Sequence, residues 1–593
     1  MLKTSEETPG RMRQQNLCVY EFGEFRVEAS RRMLLRDGHP VPLTPKVFDT
    51  LLHLVQRNGE VLDKEELMRA VWPDTVVEEN NLNQNISALR RVLSERRGEN
   101  RYILTVPGKG YRFIARVEVV EIANQEQSHR VTLAVLPFEN LSTAPEREYL
   151  ADGLTEETIA ALGQIDPEHL SVIGRTSVMA YKRTSKTAAD IGRELAVAYL
   201  IEGSLRAEGG KLRITASLIR VRDQVQVWSA SYDSEPSSML TFQRELSAAI
   251  AQQVRLQLSP QRLIALERRH THNAEAYDLY LRGRHYWHQL SPATTRRAAE
   301  YYTRATQLDP GYALAWSGLA DGFTASPING DAPPLSVWAR AREAVEQALR
   351  AQPKLAQVQT SLGFLKFWLD WEWPAAEAAY RKAIQLDPSY PLVHRLLGIL
   401  LSHMDRHEEA KAAIARAREL DPLLVGHHAL SSQVAFAGRD YAGALQFARQ
   451  AILVDPEFWI GYIQLAQAYA QLGETLEAMN ALDQAGALSG FNSKVLSLRG
   501  YLLARLGQRK EAEEVLNTLQ AVSHERYVPP YATALVYAGL DQPEQATEWL
   551  ERALEMRDVH LAFLTMDPKW DGFRGDSWFI ALVKRCGFVT SHV

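Results

Sequence analysis

At 593 residues the chain exceeds what one hydrophobic core organises and reads as roughly three to five domains. Hydrophobic and charged fractions of 46% and 23% exclude a wholly disordered or fibrous protein. The net charge of -5 identifies no partner, because averaging hides local patches, and two cysteines at opposite ends, Cys18 and Cys586, argue against a disulfide framework or a cysteine-built zinc site.

The opening stretch "MLKTSEETPGRMRQQN" is polar and lacks the apolar core of a secretion signal. No run of about eighteen apolar residues occurs anywhere, so a cytoplasmic protein without membrane contact is expected. Short strand-like pieces come next, "VYEFGEFRVE", "RRMLLRDG" and "HPVPLT". The pattern then turns helical. "TPKVFDTLLHLVQRNG" offers Thr44 as N-cap, Pro45 at the first helical position, Phe48, Leu51, Leu52 and Val55 at helical spacing, and Gly59 as stop. A second helix is expected from Asp63 to just before Pro73. The third, starting within "VVEENN", carries Leu82, Ile86, Leu89 and Leu93 as one buried stripe.

With that stripe inward, a rotation of about 100° per residue places Asn80, Gln84, Ser87, Ala88 and Arg91 on the opposite face and Asn83 and Arg90 on its flanks. Asn and Gln amides suit adenine edges, and arginines suit guanine edges or phosphates. Between Asn80 and Arg116 eight basic residues (Arg90, Arg91, Arg96, Arg97, Arg101, Lys109, Arg112, Arg116) face two acidic ones, Glu95 and Glu99. A local positive excess in a negative protein attracts polyanions. "RYILTV" and "YRFIARV" then read as strands joined by "PGKG". Phe48 and Trp72 read as core.

"LTPKVFDTLLHLVQRNGEVLDKEELMRAVWPD", "ISALRRVL" and "YILTVPGKGYRF" together resemble the OmpR-type winged-helix domain, in the form found at the N-terminus of ToxR- and CadC-like regulators. The resemblance implies that the third helix enters the major groove and that the hairpin, or wing, contacts backbone and minor groove. It makes Asn83, Gln84, Ser87 and Arg91 base-reading candidates, and Arg90, Lys109, Tyr111 and Arg112 candidate backbone or wing contacts. Asn85 stands where that family often has histidine, and Pro107 where many members have a wing arginine. Too few residues precede this domain for a receiver, and the Glu121–Arg130 joint holds no membrane span, so signals are expected to arrive through the regions C-terminal to it.

The next region is expected to order its elements βαβαβββα, an α+β sandwich with helices on one face of a mixed sheet. "VTLAVLPFEN" and "LSVIGR" supply buried strands, "EREYLADGLTEETIAALGQI" and "TAADIGRELAVAY" helices, and "YLIEGSLRAEGGKLRITASLIRVRDQVQVWSASYD" a meander turning at Gly209-Gly210 and Arg222-Asp223. A last helix is expected in "MLTFQRELSAAIAQQVRLQL". "AVLPFEN", "ADGLTEE" and "YLIEGSLR" look like the TolB N-terminal type of domain, which implies an interaction or relay module. Asp152, Glu156 and Glu157 read as ordinary helix-dipole complements rather than a carboxylate site.

The third region repeats. Leu386-Asp387-Pro388, Leu420-Asp421-Pro422 and Val454-Asp455-Pro456 recur in steps of 34, which continue to Leu488, Val522 and Met556. That period is the tetratricopeptide (TPR) signature, and about eight helix pairs should stack into a superhelix with a concave surface. "TASPINGDAPP" reads as a loop insertion, "FLKFWLDWEWP" as inter-repeat packing, and "DPKWDGFRGDSWFIALVKRCGF" as a terminal cap. The domain expectations are a winged helix at 15–118, a linker at 119–130, the α+β domain at 131–260, repeats at 273–560 and a cap at 561–593.

His270/His272, His285/His288 and His403/His407 lack a third ligand at metal-binding spacing, and "VPGKGY" lacks the phosphate-cradling frame. No catalytic residues, metal or cofactor are therefore expected. The leading expectation is a cytoplasmic bacterial-type transcription regulator, binding double-stranded DNA through its winged helix and a protein or peptide through its TPR array, with homodimerisation compatible with paired sites. The alternative is a TPR scaffold whose winged helix no longer binds DNA.

Overall fold

The computed structural model describes residues 18–588 apart from 29–32, 37–38, 42, 73–78, 96–98, 122–130, 143–147, 168, 209–210, 235–270, 289–291 and 331. The chain folds as two units, 1–128 and 129–593. The expected helix at 239–258 and the Gly209-Gly210 turn lie outside the described residues.

In the first unit, β1 (Cys18–Phe22), β2 (Phe25–Glu28), β3 (Met33–Arg36) and β4 (His39–Val41) form an antiparallel meander. Helix α1 (Pro45–Gln56) begins at Pro45 with Thr44 in the N-cap position, although the threonine side chain makes no capping bond. Phe48, Leu51 and Val55 are buried as expected; Leu54 is buried too, whereas Leu52 is half-buried. Strand β5 (Val61–Asp63), too short to show a period in the sequence, leads into α2 (Lys64–Val71), whose N-cap Asp63 accepts from the Glu66 amide at 2.7 Å. Helix α3 (Glu79–Val92) buries Leu82, Ile86 and Leu89, and Leu93 just beyond its end. Strands β6 (Ile103–Val106) and β7 (Gly110–Phe113) form the wing hairpin, ordered β5-β7-β6. Strand β8 (Glu118–Glu121) pairs with β1, so it runs into the segment expected to be linker. Phe22, Phe25, Tyr102 and Phe113 pack edge and face at the centre of this unit.

In the second unit, β9 (Val131–Val135), β10 (Glu139–Asn140), β11 (Leu170–Val172), β12 (Tyr199–Glu208), β13 (Lys211–Arg220) and β14 (Val225–Ser234) build one mixed sheet, ordered β11-β9-β12-β13-β14 with β10 against β12. The β13–β14 turn spans residues 221–224, longer than the Arg222-Asp223 turn expected, with Gln224 left-handed at φ 56°. Helices are α4 (Glu148–Ile165), α5 (Arg175–Met179) and α6 (Ala188–Glu194). They do not share a face. Leu154 and Leu162 of α4 cluster with Leu133, Val135 and Ile201, whereas Val178 of α5 and Ile191 of α6 cluster with Ala134, Leu136 and Leu200. Consecutive residues of β9 thus serve opposite layers, which is why that strand is apolar throughout.

Eight helix pairs come next. They are α7/α8 (Ala274–Trp287, Pro292–Leu308), α9/α10 (Ala313–Asn329, Pro334–Ala351), α11/α12 (Ala356–Leu365, Trp373–Leu386) and α13/α14 (Pro391–His403, His407–Leu420). Then come α15/α16 (Val425–Ala437, Tyr441–Val454), α17/α18 (Trp459–Leu472, Thr475–Ser489), α19/α20 (Ser493–Arg505, Arg509–Ser523) and α21/α22 (Pro530–Gly539, Pro543–Glu555). The expected loop insertion is largely helix: α9 runs through Pro327 to a left-handed Gly330, and α10 starts at Pro334. Its Pro and Gly mark a helix end and a helix start rather than a bulging loop.

The tail, ending in α23 (Ser577–Arg585), folds back rather than only covering the last pair. Arg557 lies between the rings of Trp338 and Trp371, at 4.3 and 4.4 Å, and donates to the Leu369 and Asp370 carbonyls at 2.9 and 3.1 Å. The Trp373 indole donates to the Cys586 carbonyl at 3.2 Å and its ring stacks on Phe588. The aromatic run is indeed packing, but its partner is the tail as well as neighbouring repeats.

Helices α4 and α5 dock on the array. Asp152 holds Lys182 at 2.5 Å and His285 at 3.4 Å, while Glu156 pairs with Arg284 and His288. These acids lie beyond the first turn of α4 and serve an ion-pair network, not the helix dipole, so their expected role is corrected. A Cβ on Gly153 would come within 2.8 Å of Leu281, and one on Gly174 within 2.7 Å of Asp421. A cavity of about 1710 Å³ remains between α4, α5 and the first helices of the first four pairs.

Asp321 of α9 faces that cavity, and burial raises its carboxyl to about 7 against the Ser361 hydrogen bond and Arg284. An unfolded aspartate titrates near 3.9. Between about pH 4 and 7 the native state therefore keeps a proton the unfolded chain has lost, so stability falls as pH rises through that window. Asp321→Asn should raise stability at pH 8 by on the order of 2 kcal/mol and leave it unchanged at pH 4. Thermal melts at both values check this, and equal shifts at both would contradict it.

Candidate nucleic-acid interface

Helix α3 has two working sides. Its apolar stripe sits in the core with α1 and α2, and the Asn85 amide fixes the remaining rotation by donating to the Lys46 carbonyl at 3.1 Å and Thr50 Oγ1 at 2.9 Å. Asn85, which departs from the histidine common in the resembled family, thus joins α3 to α1. On the outward side Gln84, Ser87 and Arg91 are exposed. Ser87 donates to the Asn83 carbonyl at 2.8 Å, a bond that keeps its hydroxyl against the helix. Asn80 belongs to α3, and its side chain lies outside the described residues. Arg96 and Arg97 lie outside them as well.

Two candidates join helix to wing. Arg90 donates to the Ile103 carbonyl at 2.9 Å and to Thr105 Oγ1 at 2.8 Å, both on β6. Tyr111 is 5% exposed, and its hydroxyl donates to Asn83 Oδ1 at 2.7 Å. In this structure Tyr111 orients Asn83 from beneath and is not a surface contact. Lys109 is exposed at the hairpin tip, and Arg112 is half-buried on β7, where its Nε has no hydrogen-bond partner among the described residues. Gly110 carries the wing past β5 so closely that a Cβ there would overlap the Leu62 carbonyl oxygen.

In the sequence Glu95 counts only as an offsetting charge. The structure buries it, with its carboxylate accepting from the Arg101, Tyr102 and Ile103 amides at 2.6, 3.2 and 3.2 Å. Ser94 takes a left-handed φ of 55° to turn the chain there. Glu95 therefore ties the end of α3 to the root of the wing. No period marks such a residue, because its partners are backbone amides.

A meander, three helices with the third presenting an amide and arginine face, and a hairpin tied to that helix make the first unit a winged-helix DNA-binding domain. Residues 38–113 match the family described as "Transcriptional regulatory protein, C terminal", and residues 128–251 match "HilA/YgeH-like transcriptional regulator, second domain". The chain is similar to the transcriptional regulator HilA of Salmonella typhimurium, 26% identical over 66% of this chain and 68% of the relative. It is also similar to the transcriptional activator CadC of Escherichia coli K12, 35% identical over 17% of this chain and 20% of CadC. A protein of Rhizobium meliloti named "Putative adenylate cyclase 3" is 34% identical over 32% of each chain, so the match spans about a third of that relative. Among the described residues no helix is long and apolar enough to cross a membrane.

Proposed function

We propose that the chain is a cytoplasmic transcription regulator of bacterial type, in which α3 and the wing read double-stranded DNA and the helical array receives a protein or peptide signal. The observation that carries this reading is the exposed pair Gln84 and Arg91 on α3, with Lys109 exposed at the tip of a wing tied to the same helix by Arg90 and Tyr111. Gln84 and Arg91 serve as base readers, with Asn83 set by Tyr111; Arg90, Lys109 and Arg112 serve the backbone and wing. The chain is read as non-catalytic, since regulator families match both its winged helix and its sheet domain. One winged helix makes a small interface, so paired sites and a homodimer fit this reading.

The test is selection of sites from random duplex DNA by the full chain, followed by titration over a range of salt. A short enriched motif with a steep salt slope is expected. Arg91→Ala should cost about 1–3 kcal/mol and relax base preference, while Lys109→Ala should weaken all sequences alike and lower the salt slope by about one. Absence of both enrichment and salt dependence would remove the DNA reading.

A further inference from the structure

The cavity between the sheet domain and the array is lined by charges of both signs, and one of its cations stands without a carboxylate beside it among the described residues. Arg395 of α13 is half-buried and opens onto it, yet no carboxylate lies within ion-pair distance of its guanidinium, and its enclosed Nε has no hydrogen-bond partner, among the described residues. Asp421, an acid close enough to act on it, is already engaged: its carboxylate accepts from the Ser177 amide at 2.8 Å, the Thr176 amide at 3.3 Å and the Ser177 hydroxyl. Glu156 is likewise taken by Arg284 and His288, Asp278 by Arg282, Glu157 by Tyr277 and Asp387 by Ser389, while Asp321 keeps its proton up to about pH 7. A half-enclosed guanidinium with no carboxylate beside it attracts an anion brought into the same low-dielectric space. The Gln357 amide oxygen, on the same lining, is also enclosed without a donor among the described residues. Aromatic rings of Tyr280, Tyr302, Tyr312, Tyr390, Trp287 and Phe364 stand in the wall among aliphatic and charged side chains.

We infer that this cavity is a binding site for a small organic acid with an aromatic or otherwise apolar body, its anionic head on Arg395 and a donor group on Gln357. The space suits it, because about 1710 Å³ exceeds the several hundred that a drug-sized molecule needs. It does not suit a long extended chain, because α4 and α5 cover the groove: the Gly174 amide donates to the Leu420 carbonyl at 2.6 Å, and the Leu423 amide to Ser177 Oγ at 2.7 Å. The protein or peptide partner of the array would then use the later pairs, and the small acid would sit where the sheet domain and the first four pairs both touch it. This inference goes beyond DNA reading and does not depend on it.

The experiment is fluorescence titration of the full chain with 8-anilino-1-naphthalenesulfonate and with N-phenyl-1-naphthylamine, which has the same body without the acid. The sulfonate should bind about one per chain, and Arg395→Gln should weaken it at least about tenfold, equivalent to 1.4 kcal/mol, while binding of the neutral amine stays within about twofold. Unchanged amine binding and melting temperature certify the fold of that variant. Arg395→Lys, which keeps the charge, should recover most of the affinity, and Arg350→Gln, on an exposed helix face, should change nothing. Competition by 2-naphthoate and 2-naphthyl phosphate tells a carboxylate from a phosphate head. Unchanged sulfonate affinity in Arg395→Gln, or displacement by neither competitor, overturns the inference.

Discussion

Glu95→Ala is expected to abolish specific DNA binding, although it removes a negative charge beside a basic helix. Charge counting alone predicts the opposite, a tighter complex. The geometry decides the sign. The Glu95 carboxylate is buried and accepts three backbone amides where α3 ends and β6 begins. Hydrogen bonds to a charged group contribute about 1.5–3 kcal/mol each, and orphaned buried amides are costly, so a loss of about 3 kcal/mol is expected after relaxation. Since the same junction sets the wing relative to α3, Gln84 and Arg91, the proposed readers, would lose the fixed position of Lys109. Hydrogen exchange at the Tyr102 and Ile103 amides, together with DNA titration, checks both halves. An affinity equal to or above that of the parent would falsify this account of Glu95.

Asp421→Ala should release the sheet domain from the array. Asp421 is 4% exposed, and it bonds two amides and a hydroxyl of α5 from the far end of α14. Its removal leaves three donors facing a void, for a loss of about 3 kcal/mol in that docking. The close approach of Gly174 to the same side chain leaves no room for a substitute contact, and Gly174→Val should act in the same direction by steric overlap. Limited proteolysis and hydrogen exchange in residues 175–179 read the release. If protection there is unchanged in both variants, the docking does not rest on this contact.

What was legible in the sequence is what depends on period. The α3 stripe of Leu82, Ile86, Leu89 and Leu93 is buried, and the same arithmetic left Gln84, Ser87 and Arg91 outside. The 34-residue step likewise anticipated the eight helix pairs. What escaped depends on partners far along the chain. Strand β8 exists because β1 offers it an edge about a hundred residues earlier, and its own four residues carry no turn or alternation that would announce it. Tyr111 reads as a wing residue until Asn83, on another element, accepts its hydroxyl. Asp152 and Glu156 read as helix-end acids because their partners His285, Arg284 and His288 lie more than a hundred residues on. The opposite layers of the sheet domain were hidden for a related reason: a strand buried on both faces shows no alternation to assign its helices.

A stack of helix pairs whose contacts are all between neighbours behaves as a one-dimensional array, melting inward from whichever end is weaker. Here residues 557–588 are fastened to the third pair and the adjoining helix of the second, through Trp373, Cys586 and Phe588, and through Arg557 between Trp338 and Trp371. The ladder becomes a hoop. With its C-terminal end pinned to the middle, the array loses the free edge from which fraying would start, and opening the hoop means breaking the tail contacts and a neighbour interface together. Repeats three to eight should therefore exchange their amides as one cooperative block rather than in a gradient toward the C-terminus.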